Sequence, residues 1–189
     1  MNTVATSKEA ILQVCRRITA EKVLNVLSMR LVANECHIAL GTLYNYYADK
    51  DALILATVES VWKDIFHTGP PEETALPFSG HVAKLYERMK KGTEAYPGFL
   101  TGHSISIASA RQGDAKSVME HTFAHMRAGM LRVLQSDSSI TADAFSPSFS
   151  EEDFVGFVLD YLLILLVQGQ PDCNMLLEII RRAVCRQDL

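Results

Sequence analysis

The stretch that most restricts the fold runs from Leu27 to Lys50 and reads LSMRLVANECHIALGTLYNYYADK. Within it Leu27, Leu31, Val32, Ala33 and Cys36 recur at the three-to-four residue spacing of a short amphipathic helix. Ser28 stands where a hydroxyl can accept from the free N–H groups of the first turn, so the helix is expected to start there and to stop near His37. A second short helix is expected over residues 39–46, with Leu43 and Tyr47 turned inward and Leu40, Thr42, Tyr44, Asn45 and Tyr46 left for the outer face. Two short helices joined by a tight turn make a helix-turn-helix, whose second member can enter the major groove of duplex DNA.

The rest of the chain reads as helices arranged around that motif. Ser7 is placed to cap a first helix reaching Lys22, with Ile11, Leu12, Cys15, Ile18 and Thr19 as its inward stripe. Residues 23–27 turn the chain without Gly or Pro. Asp49 reads as the cap of a fourth helix from Lys50 to Phe66, where Ile54, Val58, Val61 and Ile65 make one apolar edge and Leu55, Trp62 and Phe66 a second. A helix apolar on two sides must touch two things, here the head and the domain that follows. Residues 67–80, HTGPPEETALPFSG, hold three of the six prolines and form the clearest linker. Five further helices are expected: His81 to Tyr96, Pro97 to Arg111, Asp114 to Gln135, Glu151 to Gln168 and Asp172 to Arg186. Ser136 to Ser150 is expected to be a loop. The fold class is therefore all-α, with an N-terminal three-helix helix-turn-helix domain over 7–67 (the motif itself 28–47) and a C-terminal helical domain over 68–189.

The resemblance lies in the run Gly41-Thr42-Leu43-Tyr44-Asn45-Tyr46-Tyr47 followed by Lys50. It resembles the Gly-Thr-Leu-Tyr-x-Tyr/His-Phe run, with a Lys shortly after, that closes the DNA-binding motif of the TetR family of bacterial transcriptional repressors. The likeness covers the first third of the chain in residue identity and the rest in architecture. His37 replaces the Gly usual in the turn, Ala39 the usual hydroxyl cap, and Leu40 a position that is often polar. The resemblance implies that Tyr46, Lys50 and Thr42 meet backbone phosphates and that Tyr47 packs in the core. Leu40, Thr42, Tyr44 and Asn45 are placed for base edges, where Asn can pair with adenine and apolar atoms with the thymine methyl. Ala39 opens the helix at that surface, and Arg30 reaches for phosphate.

Charge agrees in sign with such a head. The chain carries a formal −4, yet residues 1–50 hold six Lys/Arg against four acids, leaving −6 for the remainder. A net acidic chain does not coat nucleic acid along its whole surface. The run from Phe154 to Val167 is interrupted by Asp160 and falls short of the ~20 residues a membrane span needs. With no apolar run after the first residues, no membrane partner is expected and the cytoplasm is the expected location. Cys15, Cys36, Cys173 and Cys185 form no CxxC pair and read first as buried thiols in a reducing compartment.

The last two helices carry more apolar surface than one small domain can bury. Phe154, Phe157, Tyr161 and Leu165 on one, and Met175, Leu176, Ile179, Ile180 and Ala183 on the other, are expected at a homodimer interface, and in the resembled family these helices pair under two-fold symmetry. Tyr86, Met89, Tyr96, Phe99, His103, Met119, Phe123, Met126, Met130 and Tyr161 are candidates to line a pocket for an unknown, apolar or amphipathic small-molecule effector. Such stripes are core residues more often than ligand walls. His121 and His125 share a helix face at i, i+4, but no third ligand at a telling spacing accompanies them, so no metal and no cofactor is expected. No nucleophile motif, phosphate loop or paired-carboxylate site supports an enzyme. The expected function is a repressor that leaves a palindromic double-stranded operator when a ligand binds the C-terminal domain. The alternatives are a redox- or metal-responsive regulator, or a helical ligand-binding protein with a vestigial head.

Overall fold

The computed structural model describes residues 6–67, 76–99 and 112–186, with side chains in the last stretch from Phe123 onward. Eight α-helices are described: α1 Lys8–Lys22, α2 Met29–Glu35, α3 Leu40–Tyr44, α4 Lys50–His67, α5 Phe78–Glu94, α6 Gln112–Ser136, α7 Glu151–Val167 and α8 Asn174–Val184. A short 3₁₀ turn, Leu24–Val26, joins α1 to α2. Among the described residues the only bridges are the isolated pairs Ile140↔Cys185 and Ser146↔Phe149, so the fold is all-α. The expected helix Pro97 to Arg111 lies outside the described residues beyond Phe99.

Helix starts follow local side-chain chemistry. Ser7 accepts from the Ala10 N–H, Ser28 from Leu31, Asp49 from Ala52 and Ser150 from Asp153. Each satisfies a donor that the first turn would otherwise leave bare. α3 lacks such a cap at Ala39 and is only five residues long; its expected extension to Tyr46 is instead a turn, with the Tyr46 and Tyr47 N–H groups both donating to the Leu43 carbonyl. α5 begins at Phe78 rather than His81, because the Phe78 N–H donates to Asp137 Oδ2 at 2.6 Å. Burial pushes the Asp137 carboxyl up, but the N–H groups of Phe78 and Ser139 outweigh it and hold it below the usual carboxylate range.

The chain divides into two compact units. The first comprises Met1–His67 and Gly92–Thr122, the second Thr68–Lys91 and Phe123–Leu189. In the first, Ile11, Cys15 and Ile18 of α1, Leu24 and Leu27 of the linker, Val32 of α2, Leu43 of α3 and Leu53, Val58 and Val61 of α4 are at most 2% exposed. Trp62 stacks on Phe66 at 5.1 Å and meets Phe99 edge-on at 5.5 Å. In the second unit the core is Phe78, Val82, Leu85, Tyr86 and Met89 of α5 with Phe154, Val158, Leu159 and Leu162 of α7 and Leu176 and Ile180 of α8. Its loop 136–150 is pinned rather than loose. Arg186 N–H donates to the Ser139 carbonyl, Thr141 N–H to that of Val184, and the Phe145, Phe149 and Phe154 rings pack at 5.6 to 5.7 Å.

Candidate nucleic-acid interface

α2 and α3 are held by what they bury. Leu43 is fully buried and Tyr47 is 4% exposed, so the inner side of α3 is fixed to the core; sealing a leucine of this kind contributes ~2 kcal/mol. The turn between the helices places His37 at φ 55, the left-handed region that Gly enters freely and His less so. α2 is tied to α1 by Arg17, which donates to Glu35 Oε2 at 2.7 Å. That hydrogen bond, with the guanidinium charge, keeps the Glu35 carboxyl below its ordinary value.

With the inner side committed, the outer one is free. Arg30, Ala39, Tyr44, Asn45 and Lys50 are exposed, Tyr44 to 48%, while Leu40, Thr42 and Tyr46 are half-buried. All eight expected DNA-facing residues are thus accessible in part. Tyr46 carries a feature the sequence reading missed: its hydroxyl donates to the Thr6 carbonyl at 2.6 Å. Beside it Lys8 Nζ sits 5.8 Å above the Tyr47 ring. A backbone carbonyl forty positions away leaves no mark in the sequence pattern.

The expected pocket residues fall in both units and are described there separately. Tyr86, Met89, Phe123 and Met130 are buried in the second, Met126 and Tyr161 half-buried; Tyr96 and Phe99 are buried in the first. Two of the phenols are already engaged, Tyr86 with the Gln170 carbonyl and Tyr96 with Asp64. His103 and the side chains of Met119 and His121 lie outside the described residues, while His125 is exposed. Among the described residues no three His, Cys, Asp or Glu side chains gather as metal ligands. A groove of about 470 Å³ on the α1–α4 side of the head is lined by Lys8, Arg16, Tyr47, Glu59, Lys63 and Asp64 among others, and by none of the ten pocket candidates.

The expected interface residues need correction. Phe154 (3% exposed), Leu165 (8%), Leu176 and Ile180 (both 0%) are buried within their own unit and offer little or no surface to a partner copy. Among the described residues, the large apolar side chains exposed on these two helices are Phe157, Ile164 and Val167 on α7 with Met175 and Ile179 on α8. Tyr161 is half-buried, stacked on Phe157 at 6.1 Å, and Ala183 is exposed.

Comparison with known proteins agrees with this architecture. Residues 7–57 match the family of bacterial regulatory proteins called tetR. No curated protein matches the chain. Among solved structures, BioQ bound to its double-stranded DNA operator superposes with a TM-score of 0.65 at 16% identity, over 94% of this chain and 97% of BioQ. EbrR, a multidrug-binding protein complexed with ethidium, gives 0.64 at 16% identity, over 94% of this chain and 98% of EbrR. A TetR-family protein from Vibrio parahaemolyticus gives 0.61 at 18% identity, over 96% of this chain and all of the other. At such identities these structures speak for the fold alone. Residues 7–57 thus form a domain of the bacterial regulatory proteins of the tetR family, and the chain shares the fold of these solved structures.

Proposed function

We propose that the protein is a homodimeric repressor whose α3 reads a palindromic operator and which lets go when a small molecule binds the C-terminal domain. The observation that carries the DNA half is the division of α3: Leu43 is sealed below while Leu40, Thr42, Tyr44 and Asn45 stay accessible above. Asn45 supplies a base-edge donor and acceptor, and Leu40 and the Thr42 methyl meet thymine methyls. Arg30 and Lys50 supply charge to backbone phosphates, which fixes register without reading sequence.

The dimer rests on the uncovered apolar strip of α7 and α8. Two-fold symmetry would bury it against its copy and present two α3 helices about 34–36 Å apart, one turn of B-DNA. A ligand that prefers a conformer with another spacing then releases the operator, provided its preference is worth a few kcal/mol. BioQ with its operator and EbrR with ethidium show each kind of partner for those proteins. Selecting bound fragments from genomic DNA with the purified chain tests the reading. The expected result is an enriched inverted repeat with half-sites one helical turn apart; a chain that enriches nothing would sink it.

A further inference from the structure

α3 is a poor helix by its own means. It has five residues, no side-chain cap at Ala39, and in Gly41 a residue of low helix propensity. Its angle relative to α1 must be set by tertiary anchors. Two of these, Leu43 and Tyr47, are apolar packing, which resists separation but leaves some freedom to rock. The third is directional: the Tyr46 hydroxyl donates its single proton to the carbonyl of Thr6, the residue before the α1 cap Ser7. Next to it, Lys8 over the Tyr47 ring makes a second link between the start of α1 and the same end of α3. A phenol has one proton, so while this bond stands Tyr46 has none for a phosphate oxygen, which can only accept.

Resting on the DNA-binding reading above, we infer that Tyr46 is a positioning residue: it acts through Thr6, fastening the end of α3 to the start of α1, and so sets the angle at which Leu40, Thr42, Tyr44 and Asn45 meet the bases. Base contacts depend steeply on that angle, whereas attraction to phosphate charge hardly does. Tyr46 therefore serves discrimination between sequences more than affinity for DNA as such.

The test compares full-length wild type with Tyr46→Phe, which keeps the ring. A duplex enriched by the wild-type chain and a random duplex of equal length serve as probes in anisotropy titrations, and backbone hydrogen exchange is followed at Lys8 to Ile11. Removing one hydrogen bond should weaken binding to the enriched duplex about threefold to tenfold, leave the random duplex unchanged and speed exchange at the start of α1. Equal losses on both duplexes with unaltered exchange would mean a direct phosphate contact and would overturn the inference, as would unchanged affinity for the enriched duplex. If wild type enriches no duplex, the DNA-reading function itself fails, an outcome distinct from a silent Tyr46→Phe.

Discussion

The hydroxyl of Tyr96 donates to Asp64 Oδ2 at 2.6 Å, tying the turn after α5 to the far end of α4. Burial, then the bond to Asp64, pushes the phenol's pKa upward, so it stays a donor at any physiological pH. Around that bond the packing is close. A Cβ added at Gly92 would lie 2.8 Å from Ile65 Cγ2 and 3.0 Å from Ile65 Cα, and backbone cannot step aside as a flexible side chain can. Gly92→Ala should therefore cost about 1–3 kcal/mol of unfolding free energy, the usual penalty for overpacking. Tyr96→Phe should cost about 1 kcal/mol. Urea titrations measure both, and midpoints equal to wild type would show that this turn is not fastened to α4 as described.

The linker after α1 stores strain in a side chain that does not suit it. Val23 has φ 81 and ψ 155, a region nearly reserved for Gly and worth about 1–3 kcal/mol of strain in other residues. Gly98, itself at φ 75, lies with its virtual Cβ 3.0 Å from Val23 Cγ1. Val23→Gly should stabilise the protein by about 1 kcal/mol after the entropy cost of Gly is deducted. Gly98→Ala should destabilise it, and should hurt less when Val23 is already Gly. Thermal melts of the three variants check this; a lower melting point for Val23→Gly would contradict the strain at that residue.

These two cases also show where the sequence was legible. Ser7, Ser28, Asp49 and Ser150 betray their helices because a cap bonds within three residues of itself. The start of α5 is not legible, because the carboxylate that accepts from its first N–H, Asp137, stands 59 positions away. α7 is apolar nearly all round, so its period cannot say which side faces out: Phe154 and Leu165 are buried, while Ile164 and Val167 are exposed at 47% and 62%. The outer side of α3 is legible from a motif, whereas the bond from Tyr46 to Thr6 is not, since its acceptor is a main-chain atom.

Lys50 and Asn45 should fail in different ways. Removing one phosphate contact lowers the slope of log K against log salt by about 0.9. Lys50→Ala should show that change, with similar losses on enriched and random duplexes. Asn45→Ala should leave the slope alone and lose about 1–3 kcal/mol of preference for the enriched duplex. Binding titrations at three or more salt concentrations decide it, and an unchanged slope in Lys50→Ala would remove this lysine from the contacts.

The thiols differ in reach. Cys15 is fully buried and Cys173 5% exposed, and burial pushes each up to about 11; Cys36 and Cys185 are partly exposed. Only a thiolate attacks, so iodoacetamide on the native protein at neutral pH should label Cys36 and Cys185 well before the other two. Mass spectrometry of digested peptides reads the order. The same burial sets a pH trend. The unfolded chain releases the Cys15 proton near 9.0 while the folded chain holds it to about 11, so between those values the native state binds more protons and stability should fall as pH rises. Early labelling of Cys15 would revive an oxidant-sensing role for the head.

Phe157 is the best single probe of self-association. It is 53% exposed on α7, stacked on Tyr161, in line with Ile164 and Val167 and without a covering element among the described residues. A carboxylate there meets water in a lone copy and a low-dielectric surface in a pair, where an unpaired charge is costly. Phe157→Asp should consequently leave the melting of the lone copy within about 0.5 kcal/mol of wild type, as substitutions at exposed sites do, yet move the sedimenting species from dimer to monomer. Operator affinity should drop with it, because a single α3 holds one half-site instead of two and loses the gain in effective concentration that linkage supplies. Sedimentation and DNA titration on the same preparation make the comparison direct. A variant that stays dimeric would move the interface off α7, and a monomer that binds the full operator as tightly as wild type would end the two-fold reading of DNA altogether.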